Sequence, residues 1–138
     1  MKKIITSIAI VTLITFCLPA CKKSSDTQQP QTTLQKMQAK WQLETLFQND
    51  HYSGTDHIMN ITGTVNDYLD FRTDGKIYSS IQGNRDTTTY SLASDTKLLI
   101  DGVNNYDIKT LTSASFIIYL KDISGLPDFF EETITMKK

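Results

Sequence analysis

The sequence predicts an all-β domain, a small up-and-down antiparallel β-barrel preceded by a short helix. Three observations carry this. From Trp41 onward apolar residues recur at every second position in short runs, the period of a half-buried strand. Gly, Asp and Asn separate the runs, and Asp74-Gly75 and Asp101-Gly102 are hairpin signals because such turns need positive φ. Residues 21–138 hold 16 Thr, 10 Ser and 12 Asp but only three Ala and three Glu, so strand and turn formers far outnumber helix formers.

Thr32 followed three residues later by Gln35 fits a capping box. Leu34, Met37 and Trp41 then fall at helical spacing, which predicts a helix of about two turns ending near Lys40. In the first strand Trp41, Leu43, Thr45 and Phe47 alternate with Gln42, Glu44 and Leu46. Further runs follow at Leu69–Phe71, Ile77–Ile81, Tyr90–Leu92, Leu98–Ile100, Tyr106–Ile108, Phe116–Leu120 and Phe130–Met136, which makes eight strands in simple succession. Gln48–Thr64 is ambiguous: His57–Ile61 reads as a short extra strand, or the whole segment as a lid-like loop.

The first twenty residues have a different chemistry. Lys2 and Lys3 precede an uncharged run, Ile4 to Phe16, interrupted only by Thr6, Ser7, Thr12 and Thr15. That is the layout of a secretory signal peptide. Ile4 to Ala20 is 17 residues, the bottom of the range that spans a bilayer as a helix. Leu18-Pro19-Ala20-Cys21 resembles the lipobox of bacterial lipoproteins, with an aliphatic residue at −3, Ala20 at the cleavage position and Cys21 as the acceptor of the lipid. Pro19 departs from the usual small residue at −2. The resemblance implies cleavage after Ala20, acylation of Cys21 with chains such as palmitate, and anchoring in the bacterial cell envelope. Lys22 after the cysteine implies the outer membrane, with either face open. The organisation expected is a signal peptide over 1–20, a lipidated cysteine and flexible tether over 21–31, and one barrel domain over 32–138. Without residues 1–20 the chain carries 12 basic against 15 acidic residues, and its folded part has no thiol.

The Ala39-Lys40-Trp41 start, the Leu69-to-Lys76 hairpin, Tyr90-Ser91-Leu92, the Tyr106-to-Thr112 run and the late Phe116-to-Leu120 strand together resemble the lipocalin-like domains of bacterial lipoproteins. Ala39-x-Trp41 stands where true lipocalins have Gly-x-Trp, and their late arginine over that tryptophan has no clear match. Lys121 is a candidate substitute through a cation–π contact. The alternation puts Trp41, Leu43, Thr45, Phe47, Leu69, Phe71, Ser79, Ile81, Tyr90, Tyr106, Phe116 and Ile118 on the inner face. An eight-stranded barrel is either filled by its own side chains or holds one small ligand. With so many large residues inside, both outcomes stay open, and Ser79 and Thr45 are the small positions where a pocket would form.

Little else in the sequence carries chemistry. Asp50-His51 and Asp56-His57 repeat a dipeptide of metal-ligating types, but without the His-x-x-x-His or Glu-x-x-His spacing of a helical site. Both histidines lie in the ambiguous segment, no Gly-x-Ser-x-Gly elbow is present, and the six glycines are scattered singly. The acidic balance argues against nucleic acid as a partner. Leu126-Pro127-Asp128-Phe129-Phe130 is an apolar cluster suited either to docking a partner or to closing the barrel end. The expectation is therefore a protein without catalytic residues, metal or cofactor. It binds a small apolar or amphipathic molecule in the barrel, or it is a ligand-free barrel acting as a protein-interaction module in the envelope.

Overall fold

The computed structural model describes residues 31–125 and 127–138. The signal segment, the lipidation position and the tether as far as Pro30 lie outside the described residues. Thr32 caps α1 (Thr33–Met37): its hydroxyl accepts from the Gln35 amide, and the Gln35 side chain accepts from the Thr32 amide. The helix is shorter than the spacing predicts. The indole Nε1 of Trp41 donates to the Met37 carbonyl at 2.8 Å, taking the acceptor that a longer helix would offer to the backbone of residue 41.

Among the described residues nine strands follow: β1 (Lys40–Tyr52), β2 (Thr55–Thr62), β3 (Tyr68–Phe71), β4 (Lys76–Ile81), β5 (Asn84–Ser94), β6 (Lys97–Ile100), β7 (Asn104–Leu111), β8 (Ser115–Gly125) and β9 (Asp128–Lys137). β1 and β3 to β9 pair antiparallel in succession, and β9 returns to β1 to close an eight-stranded barrel. β2 is an addition. β1 runs on past its pairing with β3 and turns back on itself through Ser53-Gly54, both at positive φ, as a two-residue hairpin demands. The ambiguous segment is thus a strand and not a lid-like loop. β2 occupies one edge of the far half of β1, while β3 takes over the same edge at Gln42.

Residues directly opposite in an antiparallel ladder point to the same face. The pairs Leu43–Met136, Leu46–Ile134 and Ile118–Ile134 therefore trace the interior, and all five side chains are buried. Two first-strand expectations are corrected here. A bulge between Leu43 and Thr45 inserts one extra residue, so the interior passes from Leu43 to Leu46. Thr45 is exposed opposite Thr135, and Phe47 lies half-buried on the outer face opposite Thr133.

Glu44, at the bulge, also sits where the two neighbours of β1 change over. Its carbonyl accepts from the Gly63 amide at 2.8 Å. A Cβ on Gly63 would lie 2.1 Å from the Leu43 carbonyl oxygen, so only glycine fits this corner. Asp67 holds the next step. It is 2% exposed and accepts from the Thr64 amide and hydroxyl, both at 2.8 Å, and from the Gln82 amide at 2.7 Å. One carboxylate thereby ties the β2–β3 corner to the β4–β5 turn.

Candidate functional site

The barrel interior divides into two layers. In the helix-capped half, Met37, Trp41, Leu43, Phe71, Ile77 and Phe116 are each no more than 1% exposed. Phe116 packs against Trp41 and Phe71 with ring centroids 5.4 Å apart in both pairs, and Tyr90 meets Phe71 edge-on at 5.3 Å. These separations are van der Waals contact between tilted rings. The Tyr90 hydroxyl donates to the Arg72 carbonyl at 2.7 Å, so its polar tip closes the wall.

Beyond this layer the interior turns polar. Glu132 is 7% exposed and faces Gln48 across the β1–β9 ladder. One of its carboxylate oxygens accepts from the Tyr106 hydroxyl at 2.6 Å, the other from the Gln48 side-chain amide. Burial, with the Glu132 charge and hydrogen bond adding to it, pushes the Tyr106 phenol far above its ordinary range. Tyr106 is therefore locked as a donor. The network runs from β7 to β9 to β1 and uses both carboxylate oxygens.

Most of the interior positions expected from the sequence face inward. Trp41, Leu43, Leu69, Phe71, Tyr90, Tyr106, Phe116 and Ile118 are buried. Ile81 is half-buried against the core. Ser79 stands opposite the buried Leu69, half-buried on the inner face. Thr45 and Phe47 are the exceptions, displaced by the bulge. The sequence does not reveal the Gln48–Glu132–Tyr106 network: Gln48 falls in the ambiguous segment, and Glu132 alternates with Phe130, Ile134 and Met136 without a visible partner. Which polar groups meet inside is visible only once the register across strands is known.

The repeated Asp-His dipeptide acquires a physical meaning in the hairpin. The register sets His51 opposite Asp56 and Asp50 opposite His57, so the four side chains fall as two pairs on opposite faces. On the outer face His51 Nδ1 lies 2.7 Å from Asp56 Oδ1, which also accepts from Asn49 Nδ2 at 3.1 Å. The His51 bond is the first cause that holds the Asp56 carboxyl below its usual range. Among the described residues no three His, Cys, Asp or Glu side chains gather as a metal site. His51 also stacks flat on Phe129, with centroids 5.0 Å apart and planes within 5°. Phe129 carries Lys121 Nζ at 4.1 Å on its ring.

That contact corrects the assignment of Lys121 to the tryptophan. Lys138 occupies the Trp41 ring instead, with Nζ 4.5 Å from the centroid. The physical reason is register: Lys121 pairs with Glu131 beyond the polar layer, far along β8 from Phe116. Of the late apolar cluster, Leu126 lies outside the described residues, while Phe130 is half-buried against the core.

Grooves open to solvent lie on the outer wall. One of about 430 Å³ is lined by Tyr68, Arg72, Tyr78 and Arg85 among others. Lys40 Nζ lies 3.7 Å from the Tyr68 ring and Arg72 4.2 Å from the Tyr78 ring, so cations already cover these aromatic faces. Among the described residues no helix is long and apolar enough to cross a membrane. Comparison with family models, with curated proteins and with solved structures finds no match to this chain. The eight-strand antiparallel barrel with one short helix is consistent with a lipocalin-like fold.

Proposed function

We propose that this chain is a lipid-anchored lipoprotein of the bacterial cell envelope whose barrel is a non-catalytic protein-interaction module with its own side chains as its filling. The lipobox-like Leu18-Pro19-Ala20-Cys21 supports the anchor. The packed interior supports the module: Trp41, Phe71 and Phe116 fill one half, and the Glu132 network crosses the other. A small apolar molecule entering that second half would have to break hydrogen bonds to a buried carboxylate, which costs far more than burying a few methylenes returns.

The observation that carries the reading is the β1–β2 hairpin. β2 lies outside the closed eight-strand ring on one edge of β1, seven of its eight residues are exposed, and Tyr52, Ile58 and Met59 are 63%, 59% and 43% exposed. The outer edge of β2, Thr55–Thr62, pairs with no other described strand and contains no Pro or Lys, the residues that usually blunt an edge. An extended segment of another envelope protein fits such an edge by strand addition.

Two measurements test this. Native mass spectrometry of the purified domain is expected to show the bare chain mass; a stoichiometric lipid or metabolite would return the function to the barrel interior. A photo-crosslinking residue placed at Met59 in cells is expected to trap one discrete protein, and Ile58→Lys to abolish the adduct. Identical labelling from a control position at Thr89 on the opposite wall would sink the hairpin as the contact. The anchor is tested separately: Cys21→Ser is expected to remove acyl mass and membrane fractionation, and unchanged fractionation would refute it.

A further inference from the structure

We infer that the helix-capped end of the barrel is a docking face for anionic lipid headgroups, which stands the domain on the membrane with the β1–β2 hairpin pointing away. Orientation on a membrane presupposes the anchor proposed above, whereas the affinity for anionic lipid stands by itself.

The argument is the placement of charge along the barrel axis. Residues 31–138 are acidic as a whole, with ten Lys and Arg against fourteen Asp and Glu. In an up-and-down barrel alternate turns fall at opposite ends. The helix, the β3–β4, β5–β6 and β7–β8 turns and the end of β9 share one end. The β1–β2, β4–β5, β6–β7 and β8–β9 turns share the other. The helix-capped end carries Lys36, Lys40, Arg72, Lys76, Lys137 and Lys138 against Glu44, Asp70 and Asp74, with Lys137 Nζ 3.1 Å from Glu44, and Asp95 and Lys97 offset each other at the β5–β6 turn. At the far end Asp50, Asp56, Asp101, Asp122, Asp128 and Glu131 exceed Arg85 and Lys121. A net acidic protein has thus gathered its cations at one pole.

The chemistry of that pole suits a surface more than a small anion. Asp70 is engaged by Arg72 Nε at 2.8 Å, and Asp74 accepts from the Lys76 amide and the Tyr78 hydroxyl. Lys36, Lys40, Lys76 and Lys138 have no carboxylate within ion-pair distance among the described residues. Lys40 and Lys138 are held over the Tyr68 and Trp41 rings, which fixes where their amines project. Exposed Leu34 sits on the same helix as Lys36. The chain also enters here: Gln31 lines one groove with Lys36, Thr112, Ser113 and Lys138. Nine residues, 22–30, join Gln31 to Cys21, a span of at most about 35 Å when fully extended. A leash of that length keeps this basic end within reach of headgroups, while the acidic end is repelled.

The described residues contain the closed sheet and one contiguous buried core, so the domain over 31–138 is a unit that can be tested without a lipid anchor. In flotation it is expected to bind vesicles of phosphatidylglycerol mixed into phosphatidylcholine and to ignore pure phosphatidylcholine. Binding is expected to vanish as salt rises towards about 1 M, where the screening length is only ~3 Å. Lys36→Gln and Lys76→Gln, both at exposed positions, are each expected to weaken binding about fivefold, the effect of roughly one basic residue near an anionic surface. Lys121→Gln at the far end is the control and is expected to change nothing. Equal binding to both vesicle types, no binding to either, or unaltered binding by both base variants would overturn the proposal. Acylation of the full chain is read independently by mass: a non-acylated Cys21 with intact vesicle binding refutes only the anchor, and the reverse refutes only the docking face.

Discussion

Asp67 concentrates more of the architecture than any other single side chain. Three hydrogen bonds to a nearly buried carboxylate favour its ionised form, and the Thr64 bonds are the first cause of its lowered pKa. A group whose folded pKa is depressed contributes stability above its unfolded pKa and loses it as pH falls through the folded value. Thermal stability is therefore expected to fall as pH drops below about 4, the ordinary carboxylate range, and Asp67→Asn is expected to flatten that slope and lower the melting temperature by several degrees. A wild-type slope retained by Asp67→Asn would show that another carboxylate carries it. Trp41 plays the matching part at the other corner. Trp41→Phe keeps a ring against Phe116 but orphans the Met37 carbonyl, at an expected cost of about 1–3 kcal/mol in denaturant unfolding; a loss under 0.5 kcal/mol would mean that water replaces the indole donor.

Among the elements, β1 does the most. Among the described residues it is the only strand with three neighbours: β9 on one edge, and β3 and then β2 on the other. The bulge at Glu44 and the glycine at position 63 make that exchange possible. Gly63→Ala drives a methyl into the Leu43 carbonyl and is expected to destabilise by about 1–3 kcal/mol, as overpacked sites do. In amide exchange the same variant is expected to lose protection first across β2 and the β2–β3 corner, with β8 and β9 unaffected. Uniform loss would show that the hairpin and barrel unfold together. The hairpin was half legible in the sequence. Its apolar residues announced a strand, but Ser53-Gly54 carries a weaker turn signal than Asp-Gly, and the pairing of His51 with Asp56 exists only through register.

For the whole molecule the decisive quantity is how full the barrel is. Large side chains occupy the helix-capped half and a three-residue hydrogen-bond network crosses the other, so Ser79, half-buried on the inner wall opposite Leu69, has little room for a leucine. Ser79→Leu is expected to destabilise by about 1–3 kcal/mol, as overpacked sites do, measured by the fluorescence of the single, fully buried Trp41. An unchanged or raised unfolding free energy, or a lipid displaced from the wild-type protein, would argue for a pocket. The charge asymmetry between the two ends belongs to this scale too, because no segment of the chain is basic enough to reveal it.

Alternation, turn residues and the capping box are local, and local chemistry was enough to determine an all-β chain of short antiparallel strands behind one short helix. It also placed Trp41, Phe71, Tyr90 and Phe116 on the inner face, since period two leaves a regular strand no other choice. The tertiary structure decided what depends on partners distant in sequence. It set the bulge that turns Thr45 and Phe47 outward, and the return of β9 to β1 that closes the barrel. It also brought Glu132 to Gln48 and Tyr106, and gathered lysines from the helix, from β4 and from the end of β9 at one pole. A one-residue shift in register reverses every side chain beyond it, and such a shift leaves no mark in the sequence of either strand alone.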